Sequence, residues 1–155
     1  MDSLDLQVLQ QARDWRATGQ PVWLVTVIET WGSAPRPPGA LLAMRGDGLV
    51  VGSVSGGCVE DDLIDRVRKG ERVGKPSLIN YGVSKEEAAR FGLPCGGNLR
   101  LVQEPLTDTA WVDEVLTRTA HHELVARRLD LASGTVTIEP AARGEHRQDE
   151  RAVDT

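Results

Sequence analysis

A chain of 155 residues with 40% hydrophobic residues, 26% charged residues and a net charge of −5 has the composition of one globular domain, large enough to bury a core without a disulfide or metal staple. The acidic balance and the 4% aromatic content exclude a phosphate backbone or stacked bases as its main partner. No apolar run approaches the ~20 residues of a membrane helix, and the acidic start MDSLDLQ lacks a signal peptide's basic and apolar regions, so a cytoplasmic place is expected.

Leu4 to Thr18 reads as a first helix, with Leu4, Val8, Leu9, Ala12 and Trp15 on one face and Gly19 and Pro21 as its stop. Val22 to Trp31, rich in Val, Ile, Thr and Trp, reads as a strand. Ser33 to Gly39 (SAPRPPG) holds three prolines and reads as a stiff loop. Leu41 to Arg45 and Leu49 to Val54 flank Gly46-Asp47-Gly48 and form a hairpin. A helix is expected from about Cys58 to Lys69, acidic in its first turn at Glu60, Asp61 and Asp62 and basic in its last. Ser77 to Tyr81 reads as a strand. Ser84 and Glu87 form a capping box for a helix through Phe91. Asn98 to Gln103 alternates as a strand, a helix follows from about Thr109 to Thr119, and Leu124–Leu131 pairs with Thr135–Glu139 around Ser133-Gly134. From Ala141 the chain has almost no apolar content and reads as a disordered polar tail, which leaves residues 1–140 as the domain. Strands and helices mix without strict alternation, so the expected class is α+β, or mixed α/β, around one mixed sheet with flanking helices.

The two cysteines carry the chemistry. Cys58 follows Gly56-Gly57 in GSVSGGCVE, and Cys95 precedes Gly96-Gly97 in GLPCGG. Glycine beside a thiol removes bulk and frees backbone N–H groups to face a ligand. In the first motif a strand runs through a glycine turn into a helix. The unsatisfied N–H groups of that helix start make an anion site suited to phosphate, and Ser53 and Ser55 add hydroxyls. A P-loop is excluded, since no Gly-Lys-Ser/Thr follows. Gly46, Gly48 and Gly52 fall in a hairpin rather than before a helix, which argues against a dinucleotide fingerprint. The same glycines serve equally well as a bare turn. The helix start favours a Cys58 thiolate while the three acidic neighbours oppose it, and a free cysteine is also a common small core residue. Arg36, framed by prolines, offers a fork for phosphate or carboxylate, or a plain surface charge. Glu60 either accepts from a ligand's N–H groups or favours the helix start. No four-ligand zinc cluster is visible, and His121 and His122 receive no ligand role.

The order SAPRPPG, GSVSGGCVE, Tyr81-Gly82, GLPCGG and Glu104-Pro105-Leu106 resembles the XdhC/CoxI family over about Val22 to Leu106. The resemblance implies a maturation factor for molybdenum hydroxylases such as xanthine dehydrogenase. Such a factor binds molybdenum cofactor (molybdopterin or its dinucleotide form), holds it while a sulfido ligand is installed, and passes it on. By position it assigns Ser33, Arg36 and Gly39 to the proline–arginine loop, Ser55, Gly56, Gly57, Cys58 and Glu60 to the central motif, and Cys95, Gly96 and Gly97 to the second. Cys58 and Cys95 become the candidate molybdenum ligands or sulfur carriers. The implied partners are an apo molybdenum hydroxylase and a cysteine desulfurase, with a homo-oligomer compatible. Many family members continue into a Rossmann-like domain that this chain lacks, so the chain reads as a fragment or as a short form completed by another chain. The role is that of a cofactor chaperone rather than an enzyme with its own turnover. The alternatives are a small thiol-dependent persulfide sulfurtransferase and a non-catalytic interaction module.

Overall fold

The computed structural model describes residues 3–31, 36–55, 59–70, 74–81, 98–140, 147–148 and 152–154. The helix expected at Ser84–Phe91 lies outside them. Helix α1 (Ser3–Ala17) leads into strand β1 (Val22–Trp31), then the hairpin of β2 (Leu41–Arg45) and β3 (Val50–Gly52). Helix α2 (Glu60–Arg68), β4 (Ser77–Tyr81) and β5 (Asn98–Pro105) follow, then α3 (Ala110–Ala120) and the hairpin of β6 (Val125–Asp130) and β7 (Val136–Pro140).

Five strands form one sheet in the order β3-β2-β1-β5-β4, with every pair antiparallel. Alternation along β1 decides its two faces. Trp23, Val25 and Val27 face one way, with Leu42 and Met44 of β2 and Leu99 and Leu101 of β5, and α2 covers them through Leu63 and Val67. These two are four residues apart, so they stack on one side of a nine-residue helix whose mean character is polar. Full burial of each stabilises the packing by about 1.5–3 kcal/mol. Val22 and Leu24 face the other way and meet Val8, Leu9, Ala12 and Trp15 of α1 and Trp111, Val112 and Val115 of α3.

The α+β class expected from the sequence holds, with no parallel pairing among the described strands. A second sheet joins the one expected, in the order β7-β6-β9-β8. Its strands β8 (Arg147–Gln148) and β9 (Ala152–Asp154) fall in the segment whose composition reads as a tail, and β9 pairs with β6 from Arg128↔Asp154 to Asp130↔Ala152. An open strand edge offers unpaired N–H and C=O groups, and pairing with them needs no apolar side chains.

Between the sheets Arg127 of β6 reaches β5 and β1. Its Nη1 donates to Glu104 Oε1 at 2.7 Å and its Nη2 to Thr26 Oγ1 at 3.1 Å. The guanidinium lies 4.7 Å from the Trp111 ring centroid, a cation–π distance. The side chains of Arg127 and Glu104 are 7% and 4% exposed.

Candidate functional site

The described residues around the central motif form one polar chain of contacts. It begins on α1. Asp5 sits on the apolar face with Val8, Leu9 and Ala12, and is buried. Its Oδ1 accepts from the Leu41 N–H at 3.1 Å and from Arg36 Nη2 at 3.4 Å. Arg36 Nε donates to the Ser53 carbonyl at 3.2 Å. Ser53 Oγ donates to Glu60 Oε2 at 2.9 Å, and Ser55 Oγ donates to Glu60 Oε1. Ser55, fully buried, also accepts from the Val59 N–H at 2.9 Å.

Each link has a local cause. Gly39 (φ +94) turns the proline segment back so that its N–H meets the Val27 carbonyl at 2.7 Å, which seats Arg36 beside the end of the hairpin. Gly52 (φ +92) then bends the chain out of β3 and points Ser53 towards α2. The N-cap Val59 has no side-chain acceptor, so Ser55, four residues back, supplies the oxygen that the first turn needs.

The geometry gives several sequence-assigned residues specific work. The hydroxyls of Ser53 and Ser55, expected to face a ligand, donate to Glu60. Both Glu60 oxygens are engaged by that pair, so the carboxylate closes the loop at its two ends. Arg36 is a half-buried guanidinium oriented by a carbonyl and a carboxylate, and among the described residues it makes no hydrogen bond through Nη1. Gly39 shapes a turn. Arg36, Gly39, Ser55 and Glu60 therefore come together, while Ser33, Gly56, Gly57, Cys58, Cys95, Gly96 and Gly97 lie outside the described residues. Among the described residues no group of three His, Cys, Asp or Glu side chains could hold a metal ion.

Three residues, Asp5, Tyr81 and Asp62, are not assigned to a site by the sequence. Asp5 carried a signal, an acid three and four residues before buried Val8 and Leu9. Tyr81 stands in the string Tyr81-Gly82 and Asp62 among the acids of the helix start, but nothing in the sequence pairs them: the 2.5 Å bond from the Tyr81 hydroxyl to Asp62 Oδ2 joins α2 to the following strand β4.

Glu60→Ala should cost about 1–3 kcal/mol, since both serine hydroxyls lose their acceptor and Ser55 is fully buried. Glu60→Gln should recover part of this, because an amide presents one acceptor oxygen instead of two. Urea denaturation followed by circular dichroism measures both. An alanine variant as stable as the parent would show that the contacts leave the loop no firmer.

The donor set suits a polar, anionic ligand in part. Arg36 is a pre-oriented cation with N–H groups to spare, whereas Glu60, Asp61 and Asp62 crowd the helix start and oppose a phosphate seated directly on it. An α+β domain that holds such a strand–loop–helix hook beside a fixed arginine is the class of protein the geometry defines. Residues 15–82 match the model of the XdhC and CoxI family. It is similar to the molybdenum cofactor insertion chaperone PaoD of Escherichia coli (strain K12), at 34% identity over 125 residues, covering 79% of this chain and 38% of that protein. A probable xanthine dehydrogenase subunit of Bacillus subtilis (strain 168) is 34% identical over 76 residues, covering 48% of this chain and 23% of that one. The chain thus spans well under half the length of these curated relatives. A solved structure described as a xanthine dehydrogenase from Bacillus halodurans superposes with a TM-score of 0.70 over 97% of this chain and 52% of that one; at 20% identity it shows the fold. No helix among the described residues is long and apolar enough to cross a membrane.

Proposed function

We propose that this chain handles molybdenum cofactor as part of a maturation factor for a molybdenum hydroxylase of the xanthine dehydrogenase type. The observation that carries the reading is the coincidence of family and geometry: Arg36, Ser53, Ser55 and Glu60 all fall within the family-matched residues 15–82 and form one network. The likeness to a cofactor insertion chaperone supports the same cargo.

In this reading the cofactor is cargo, a dithiolene pterin with a phosphate or pyrophosphate end. Arg36 takes the anionic end through the N–H groups not spent on Ser53 and Asp5. Glu60 and the two serines tie together the residues on either side of Gly56-Gly57-Cys58, and the backbone and thiol of that segment meet the cargo. Cys58 and Cys95 ligate molybdenum or carry sulfur while the sulfido ligand is installed, with a cysteine desulfurase as sulfur source and the apo-hydroxylase as recipient.

The test is to purify the chain from molybdenum-replete cells and measure molybdenum and oxidised-pterin fluorescence per chain. Both should be present in near-equal amount in the parent. Arg36→Ala should weaken affinity for isolated cofactor by roughly ten- to a hundredfold, and Arg36→Lys should restore only part of it, because an ammonium cannot serve Ser53, Asp5 and a ligand as a planar fork does. Turnover with a sulfur donor in the absence of metal would favour a sulfurtransferase instead. A chain that retains neither molybdenum nor pterin would overturn the reading.

A further inference from the structure

A pocket of about 220 Å³ opens on the α3 side of the first sheet, between the β5–α3 connection and the turn of the β6–β7 hairpin. Glu104, Thr107, Asp108 and Trp111 line it from one side, Ser133 and Thr135 from the other. It is smaller than the roughly 300–1,000 Å³ of pockets that enclose whole small molecules, and has room for one side chain. Among the described residues that line it there are two carboxylates and no Lys, Arg or His.

Glu104 is the deepest of these acids, with a side chain 4% exposed. Its Oε1 accepts from Arg127, whose guanidinium lies over Trp111, so the carboxylate stands on the pocket's side of the sheet. Its Oε2 is buried with no hydrogen-bond partner among the described residues. A buried acceptor left unmet costs free energy, and folded proteins keep few of them. Asp108 is exposed at the rim and spends Oδ1 on the Ala110 N–H at 2.9 Å, which leaves Oδ2. The Ser133 and Thr135 hydroxyls, joined at 2.9 Å, add oxygen on the far side. Such a lining repels phosphate or carboxylate and attracts an ammonium or guanidinium, which Trp111 also favours.

We propose that this pocket receives the cationic head of a lysine or arginine side chain presented by a protein partner, with Glu104 Oε2 as its inner acceptor and Asp108 as its outer charge. Arg127 balances the charge of Glu104, so Asp108 supplies the net attraction and Glu104 the charge-assisted hydrogen bond. The pocket is too small for a whole pterin cofactor and has the wrong sign for its anionic end. It is therefore separate from the Arg36–Glu60 network and independent of the cargo reading.

The experiment titrates the full chain, isotope-labelled at tryptophan, with N-acetyl-arginine amide and N-acetyl-lysine amide at low salt. The Trp111 indole N–H is followed by NMR and assigned through Trp111→Phe. At least one capped residue should shift it with a Kd in the millimolar range, and bind more weakly as salt is raised. N-acetyl-glutamate amide should leave it unmoved. Asp108→Asn keeps the oxygen that meets Ala110 and removes the charge; it should weaken binding by roughly three- to tenfold. Glu104→Gln should weaken it too, but also touches the buried ion pair. Thr107→Phe, at an exposed position on the rim, fills the pocket without touching that pair and should abolish binding in a protein that melts as the parent does. No shift with either capped residue, an equal shift with the glutamate, or binding unchanged in Asp108→Asn and Thr107→Phe would each overturn the proposal. Putrescine binding about tenfold more tightly than both capped residues would assign the pocket to free amines and overturn the protein partner.

Discussion

Arg127→Ala is expected to destabilise the fold by about 3–5 kcal/mol, the cost of stripping a buried ion pair of one partner. Arg127 supplies the only hydrogen bond to the Glu104 carboxylate among the described residues, and Glu104 Oε2 has no partner there. Removing the guanidinium leaves a nearly sealed carboxylate with neither charge nor donor to meet it, and it empties the volume over Trp111. The loss also unfastens β6 from β5 and β1, so the second sheet should loosen first. Urea unfolding measured by tryptophan fluorescence checks the magnitude. A paired replacement, Arg127→Leu with Glu104→Leu, should recover most of the loss, because apolar side chains of similar size need no partner in that position. Cofactor content per folded molecule should remain unchanged, since none of these residues belongs to the Arg36–Glu60 network. A loss below about 1 kcal/mol in Arg127→Ala would show that solvent reaches Glu104 and that the pair is ornamental.

Gly52→Ala is expected to cost about 3 kcal/mol or more, and to disturb the site as well as the fold. Its φ of +92 is one that side chains rarely adopt. An added Cβ would lie 2.4 Å from the Leu41 carbonyl oxygen and 2.5 Å from Val8 Cγ2, and the first of these is backbone that the β2–β3 pairing holds in place. The strain can be relieved only if Gly52 moves, and Ser53 moves with it. Ser53 both receives Arg36 through its carbonyl and donates to Glu60 through its hydroxyl. The variant should therefore lose cofactor per folded molecule in addition to melting earlier, which distinguishes it from Arg127→Ala. Thermal melting and molybdenum content on the same preparation test both parts. Stability within about 1 kcal/mol of the parent would mean that the turn has another conformation open to it.

The sequence by itself determined the elements that depend on local pattern. The strand Val22–Trp31 and the strand Ser77–Tyr81 stand where alternation and β-branched residues put them, and α1 differs from its reading by a residue at each end. The family was legible because unusual strings recur in a fixed order, and such strings survive without any knowledge of contacts. The helix start was less clear: α2 begins at Glu60 rather than at Cys58, with Val59 at its N-cap and the Val59 N–H donating to Ser55 Oγ, a bond that no spacing rule announces.

What only the tertiary structure decided is the partner of each polar side chain. Arg36, Ser53, Ser55 and Glu60 read equally as ligand contacts or as surface groups, since a guanidinium, a hydroxyl and a carboxylate carry the same chemistry in either place. The fold brings them together with Asp5 and makes their first duty a mutual one. Arg127 shows the same limit more sharply. In sequence it is one of two adjacent arginines in a strand, and nothing local separates the buried Arg127 from the exposed Arg128. Alternation sets which faces inward only once the second sheet has packed against the first. Glu104, far off in sequence, must then arrive opposite it, because a charge is buried only where another element brings its counter-charge.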